Sequence, residues 1–160
     1  MSVCFEIGGS RVTGAGGFAG EWGHGPVVQV HCLPCGCGQS GGHDTIGAAR
    51  GSERLPVGLG QDPARSEAMT VAWRAGEAGA FATVAWWRDL VSGPLAMVLK
   101  VVGAAVVPMG GGLGDVPGLI AALDGAVRAR AVLRTARPVV VCTERSADAG
   151  LVGAAEAAFG

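Results

Sequence analysis

The chain has 160 residues, the size of one domain, and carries Lys+Arg 12 against Asp+Glu 13 for a formal net charge of -1. That balance excludes the basic footprint that nucleic acid or an anionic membrane surface demands, and the absence of Tyr argues against base-stacking platforms. At 49% hydrophobic and 16% charged, the sequence is globular rather than disordered.

Val3 to Val12 (VCFEIGGSRV) predicts a short strand running into a Gly8-Gly9 turn. Glu6 and Arg11 interrupt any apolar run there, so no signal peptide is expected. From Gly14 to Gly42 the text is turn-rich, with one candidate strand at PVVQVHCL. Asp44 predicts the N-cap of a helix through TIGAARGSERL, with Ile46, Ala49 and Leu55 on its apolar side.

Asp62-Pro63 predicts the start of a second helix, Pro taking its first position, with Ala68, Val71, Ala72 and Ala75 as the apolar face. A long helix is expected from Phe81 to about Val102, kinked or split at Pro94. AAVVPMGGGLG then predicts a strand ending in three glycines, DVPGLIAALDGAVRARAVL a helix, and PVVVCT a buried strand. ADAGLVGAAEAAF predicts a closing small-residue helix. Strands alternating with helices define an α/β class. The most apolar stretch, Val91 to Val107, carries Pro94 and Lys100 and reads as a buried helix leading into a strand rather than a membrane span.

Of five cysteines, Cys32, Cys35 and Cys37 crowd into six positions, which suits metal better than disulfides and fits a reducing cytoplasm. His24, Cys35 and Cys37 supply three donors; a structural zinc wants four, the fourth coming from Cys32, His31 or His43. The same spacing also fits a loop with incidental cysteines. Glu21 and His24 form an E-x-x-H pair with Asp44 just beyond the cysteine loop. Such groups bind sugar hydroxyls, serve acid/base chemistry, or are ordinary surface charge. Gly turns after strands, as in EIGGS and MGGGLG, allow close approach to a phosphate or nucleoside, or are simply turns.

Together these residues resemble the ROK family of bacterial sugar kinases and sugar-responsive repressors. The family pattern runs G-E-x-G-H, a spacer, C-x-C-G-x-x-G-C, an acidic residue, then S-G-R-G. GEWGH (Gly20 to His24), CGCGQSGG (Cys35 to Gly42), Asp44 and ARG (Ala49 to Gly51) fall into it. The resemblance implies a partial actin-like ATPase (ribonuclease H-like) kinase fold, mainly its C-terminal half. Residues 1–13 would be a remnant of the phosphate-turn strand, and 14–160 the sugar and zinc loop plus the nucleotide-side domain. Within the family the chain is similar to N-acetylglucosamine kinases and fructokinases, which transfer the γ-phosphate of ATP to a sugar hydroxyl with Mg²⁺.

By that resemblance Glu21, His24 and Asp44 contact the sugar. Gly8, Gly9 and Ser10 lie by the phosphates, and Gly110, Gly111 and Gly112 by the adenosine. His24, Cys35 and Cys37 ligate Zn²⁺, with Cys32 or His43 as the fourth ligand. The sequence departs from the pattern in four places. Gly42 replaces the third zinc cysteine, Glu6 an aspartate, and Ser10-Arg11 a Thr-Lys pair. The text also passes from the phosphate turn directly to the sugar loop, without the family's Asn-Asp general base; these 160 residues contain no Asn. The expectation is a shortened sugar kinase with no catalytic residue of its own, impaired or inactive alone, cytoplasmic and homo-oligomeric. The alternatives are a non-catalytic zinc- or nucleotide-binding assembly remnant, or a regulator of the same family. A regulator needs an N-terminal helix-turn-helix, and the text starts at the phosphate turn.

Overall fold

The structure, a computed structural model, describes residues 21–25, 33–132 and 135–143, together with the backbone of 6–7 and 10–11. The expected strand at PVVQVHCL (apart from Leu33), the Gly8-Gly9 turn, the expected C-terminal helix, and Cys32 and His31 lie outside the described residues.

β1 (Glu6–Ile7) and β2 (Ser10–Arg11) pair antiparallel, Glu6 opposite Arg11 and Ile7 opposite Ser10. The short strand expected ahead of Gly8-Gly9 is present as β1, and β2 pairs back on it.

The helix expected after Asp44 is three short ones: α1 (Asp44–Gly47), α2 (Ala49–Ser52) and α3 (Leu55–Gly58). Ala48 breaks the run with an extended backbone, φ -75 and ψ 162. Gly51 makes the break compact, because a Cβ there would sit 2.8 Å from the Ile46 nitrogen. His43, not Asp44, holds the cap position, and its side chain makes no capping bond.

α4 (Ser66–Arg74) begins after the expected Asp62-Pro63 start. The Glu53 carboxylate accepts from the Ser66 N–H at 3.1 Å and its hydroxyl at 3.4 Å, so a distant side chain satisfies the helix end. Its face is also rotated from expectation. Ser66, Met69 and Thr70 are buried, whereas Ala68 is exposed and Val71 is 64% exposed.

α5 (Ala78–Val102) runs as one helix of 25 residues through Pro94. It buries Val84, Trp87, Val91, Leu95 and Leu99, and closes on Gly103 at φ 70, a left-handed cap that glycine adopts without strain. β3 (Val107–Met109), α6 (Pro117–Arg130) and β4 (Val140–Cys142) form a strand–helix–strand unit. Its strands pair in parallel, Val107 with Val140 and Met109 with Cys142. α6 packs between α5 and β4, and α1, α3 and α4 pack on α5. The core runs through Ile46, Trp87, Leu95, Leu119, Leu123 and Val140. Among the described residues the two strand pairs are separate sheets.

Candidate functional site

Trp22–His24 form one 3-10 turn that starts at Glu21, closed by the His24 N–H to the Glu21 carbonyl at 3.2 Å. The His43 N–H donates to the Gly25 carbonyl at 3.1 Å and ties this turn to the start of α1. Gly23 is buried where the two meet: a Cβ there would lie 3.4 Å from Cβ of Asp44. Small size at Gly23 therefore lets Asp44 approach the Glu21–His24 turn.

The cysteine loop is folded by its own backbone. The Cys35 N–H donates to the Gln39 carbonyl at 2.8 Å and the Gly38 N–H to the Cys35 carbonyl at 3.0 Å. Gly38 sits at φ 87, where glycine is the favoured residue. This turn brings the donor atoms of His24, Cys35 and Cys37 within 4.8 Å of one another. His24 Nδ1 lies 3.3 Å from Cys35 Sγ, and His24 Nε2 lies 3.1 Å from the Glu21 carboxylate. The ring thus faces the thiols with one nitrogen and a carboxylate with the other, an arrangement that orients a metal-binding imidazole.

The Cys35 hydrogen bond, then the Cys35, Glu21 and Asp44 charges, raise the His24 pKa above its ordinary value, against a lowering by burial. Cys37 is held below its ordinary value, first by the Gln39 backbone hydrogen bond and then by Cys35.

His43 lies apart from these three donors. It is 0% exposed, stacks on Trp22 with ring centroids 4.4 Å apart, and neither ring nitrogen has a hydrogen-bond partner. A Cβ on Gly47 would fall 2.5 Å from its Cε1, so the ring occupies the space that glycine leaves. Burial pushes its pKa down to about 4, opposed by the Asp44 charge.

A closed structural zinc site takes four protein ligands, and the described residues supply three. At Gly42, where the family pattern has a cysteine, an added Cβ would lie 3.1 Å from Cys35 Sγ. One nitrogen and two sulfurs suit zinc, and among the described residues no fourth side-chain donor joins them.

β3 is followed by Gly110, Gly111 and Gly112, all exposed, with Gly111 at φ 83. The turn leads to the N-terminus of α6, where Pro117 stands in the first turn. Glycines at the carboxyl end of a parallel strand, followed by a helix N-terminus, suit an anionic ligand. Gly114 tightens the turn, since a Cβ there would meet the Met109 carbonyl at 2.6 Å. Gly114 is the last residue of the M-G-G-G-L-G run, whose spacing alone does not mark it as the tight point. Ser10 lies in β2, paired with Ile7.

A cavity of about 510 Å³, which no sequence pattern announced, opens between the base of the cysteine loop and α5, lined by Leu33, Ile46, Leu55, Trp86 and Leu90. Glu53, its acidic group, is taken up by Ser66. Its walls are mainly apolar, with Glu53 and Arg54 as the charged members, and Glu21, His24 and Asp44 do not line it.

A parallel strand–helix–strand unit with a glycine turn, in a chain that also carries a histidine–cysteine loop, is of the actin-like ATPase class. The ROK family model matches residues 3–159, and the chain belongs to that family. It is 31% identical over 160 residues to the N-acetylgalactosamine kinase of Shewanella sp. (strain ANA-3), covering 93% of this chain and 51% of that relative. Similarity to the N-acetyl-D-glucosamine kinase of Pasteurella multocida (strain Pm70) is 29% over 158 residues, covering 92% and 51%. The chain therefore spans about half the length of the curated relatives it matches.

Among solved structures it superposes on the ROK hexokinase from Thermus thermophilus with a TM-score of 0.76 and 30% identity, covering 94% of this chain and 51% of that one. For a ROK family glucokinase from Streptomyces griseus, solved with glucose and AMPPNP, the TM-score is 0.77 and the identity 26%, covering 94% and 55%. The fold is thus the actin-like ATPase fold, over about half of its extent. No helix among the described residues is long and apolar enough to cross a membrane.

Proposed function

We propose that this chain provides the sugar-contact loop and nucleotide side of an ATP-dependent sugar kinase acting on N-acetylglucosamine or a related hexose. The observation that carries the reading is the convergence of Glu21, His24 and Asp44 on one turn beside the cysteine loop. In this reading Glu21, His24 and Asp44 hold sugar hydroxyls. Gly8, Gly9 and Ser10 face the phosphates of Mg²⁺-ATP, and Gly110 to Gly112 the adenosine. His24, Cys35 and Cys37 would hold zinc, which would fix the loop and the imidazole. The protein works in the cytoplasm.

Phosphoryl transfer is mainly positioning and electrostatics, yet the sugar hydroxyl still needs a base to orient it and take its proton. The 160 residues offer no Asn-Asp pair for that role. Their expected turnover is therefore lower by about 10²–10⁴-fold than that of a kinase with its base. Calorimetric titration with N-acetylglucosamine, N-acetylgalactosamine and glucose, with and without AMPPNP, tests binding apart from chemistry. Saturable sugar binding that Glu21→Gln or His24→Ala abolishes is expected; no binding of any of the three sugars would refute the sugar reading. A coupled assay with Mg²⁺-ATP tests the impairment, and turnover in the ordinary range of about 1–100 s⁻¹ would overturn it.

The missing base favours a second reading, a non-catalytic module that retains metal and nucleotide. Nucleotide binding without sugar binding would select it.

A further inference from the structure

The cysteine loop departs from a closed zinc site at one residue, Gly42. This glycine is not among those at positive φ, so its backbone conformation does not bar a side chain. Its Cβ direction leads to Cys35 Sγ at 3.1 Å, with the Gly23 carbonyl at 3.3 Å. A donor at this position would enter the cluster; glycine supplies none.

The neighbouring described donors are engaged elsewhere. The Glu21 carboxylate is paired with His24 Nε2 at 3.1 Å. Both nitrogens of His43 are buried behind its stack on Trp22. Cys37, Gly36 and Gly38 are exposed, so the cluster borders solvent.

We propose that this chain binds its metal through His24, Cys35 and Cys37 alone and leaves the fourth coordination position to an exchangeable small ligand, water or an imidazole. The proposal rests on the reading that the cluster holds zinc. Three protein donors and an exchangeable ligand are the coordination of sites that keep an open position, not of closed structural ones. Such a site gives up its metal more readily, because one thiolate's share of the binding is missing. Structural zinc binding of about 10–16 kcal/mol over four ligands makes that share worth on the order of 10²-fold in affinity.

Co²⁺ is the probe, since its visible bands report coordination geometry and its near-ultraviolet charge-transfer band reports thiolate number. The reduced, metal-free chain is titrated with Co²⁺, and the complex is then titrated with imidazole. The expected result is a two-thiolate spectrum whose visible bands shift saturably with imidazole. Gly42→Cys should add a third thiolate to the charge-transfer band and abolish the imidazole response. It should also slow metal loss to a chelator, on the order of 10²-fold, with circular dichroism checking its fold. A wild-type spectrum that ignores imidazole overturns the open position while leaving metal binding intact, and Cys32→Ser then shows whether Cys32 is the fourth ligand. Absence of any cobalt bands overturns both the proposal and the zinc reading. The wild-type imidazole titration decides the matter even if the variant misfolds.

Discussion

His43 carries an imidazole into the interior with nothing to bond. Its ring is 0% exposed, and both nitrogens lack partners. Keeping it neutral makes stability depend on pH. With a folded pKa of about 4 against an ordinary 6.5, the unfolded chain takes the proton first as pH falls. The stability is fully present above pH 6.5 and is lost as pH falls toward 4, by about 3 kcal/mol in all. His24 acts in the opposite sense: its raised pKa gives stability that is present at low pH and lost as pH rises through that value. Its exposure makes that effect small. His43→Leu removes an unsatisfied polar group of similar bulk, so stability near pH 7 should hold or rise by about 1 kcal/mol. The acid loss should largely disappear. Urea melts of both proteins at pH 7 and pH 5 check this, and equal acid losses would show that His43 is not the group responsible.

Asp124 on α6 ties helix to strand: its Oδ1 accepts the Val139 N–H at 2.7 Å and the Val140 N–H at 2.9 Å. Arg128 lies 3.7 Å from the other oxygen and also bonds the Thr135 carbonyl. Asp124→Ala leaves two buried N–H groups without an acceptor, at a cost of about 3 kcal/mol. Asp124→Asn keeps one acceptor oxygen and should lose less. Denaturant melts, with hydrogen exchange at Val139 and Val140, give the comparison; equal stability of the Ala variant would remove Asp124 from this role. A second element-scale prediction concerns α1 and α2. At Gly51 an added Cβ would lie 2.8 Å from backbone atoms of Thr45 and Ile46, where no rotamer relieves the overlap. Gly51→Ala should cost about 1–3 kcal/mol in a thermal or urea melt. If it melts like wild type, the two helices are free to separate.

These elements also show what sequence could reveal. β3, α6 and β4 were legible because their apolar runs differ in length and are punctuated by glycine and proline. α4 was misread because alanine marks no face: Ala68 is exposed while Ser66 and Thr70, polar in sequence, are buried beside Glu53 and α5. The donor cluster was legible since its residues recur within a short loop. The burial of His43 depends on Trp22 and Gly47, and the cavity on Leu33, Leu55 and Trp86, contacts that no local spacing records.

At the scale of the whole molecule, the surface of α5 is the informative feature. Val91, Leu95 and Leu99 fill the core, yet Met97 is 66% and Val101 77% exposed on its outer side. Residues four apart share one helix face, so these two form a single apolar strip. Val106, 51% exposed, comes just after the end of the same helix. An apolar strip exposed on the longest described helix is expected to be buried against a second copy. Charging the strip should then dissociate the copies and spare the fold. Met97→Glu with Val101→Lys places Glu four residues before Lys, a pairing that supports an isolated helix by about 0.2–0.5 kcal/mol. Light scattering after size exclusion, over a range of concentrations, should show wild type above the 15.9 kDa monomer mass and the double variant at it. Unchanged circular dichroism would confirm that only association was lost. Wild type that stays monomeric at every concentration would leave the α5 strip without this role, and association that survives both charges would place the contact on another face.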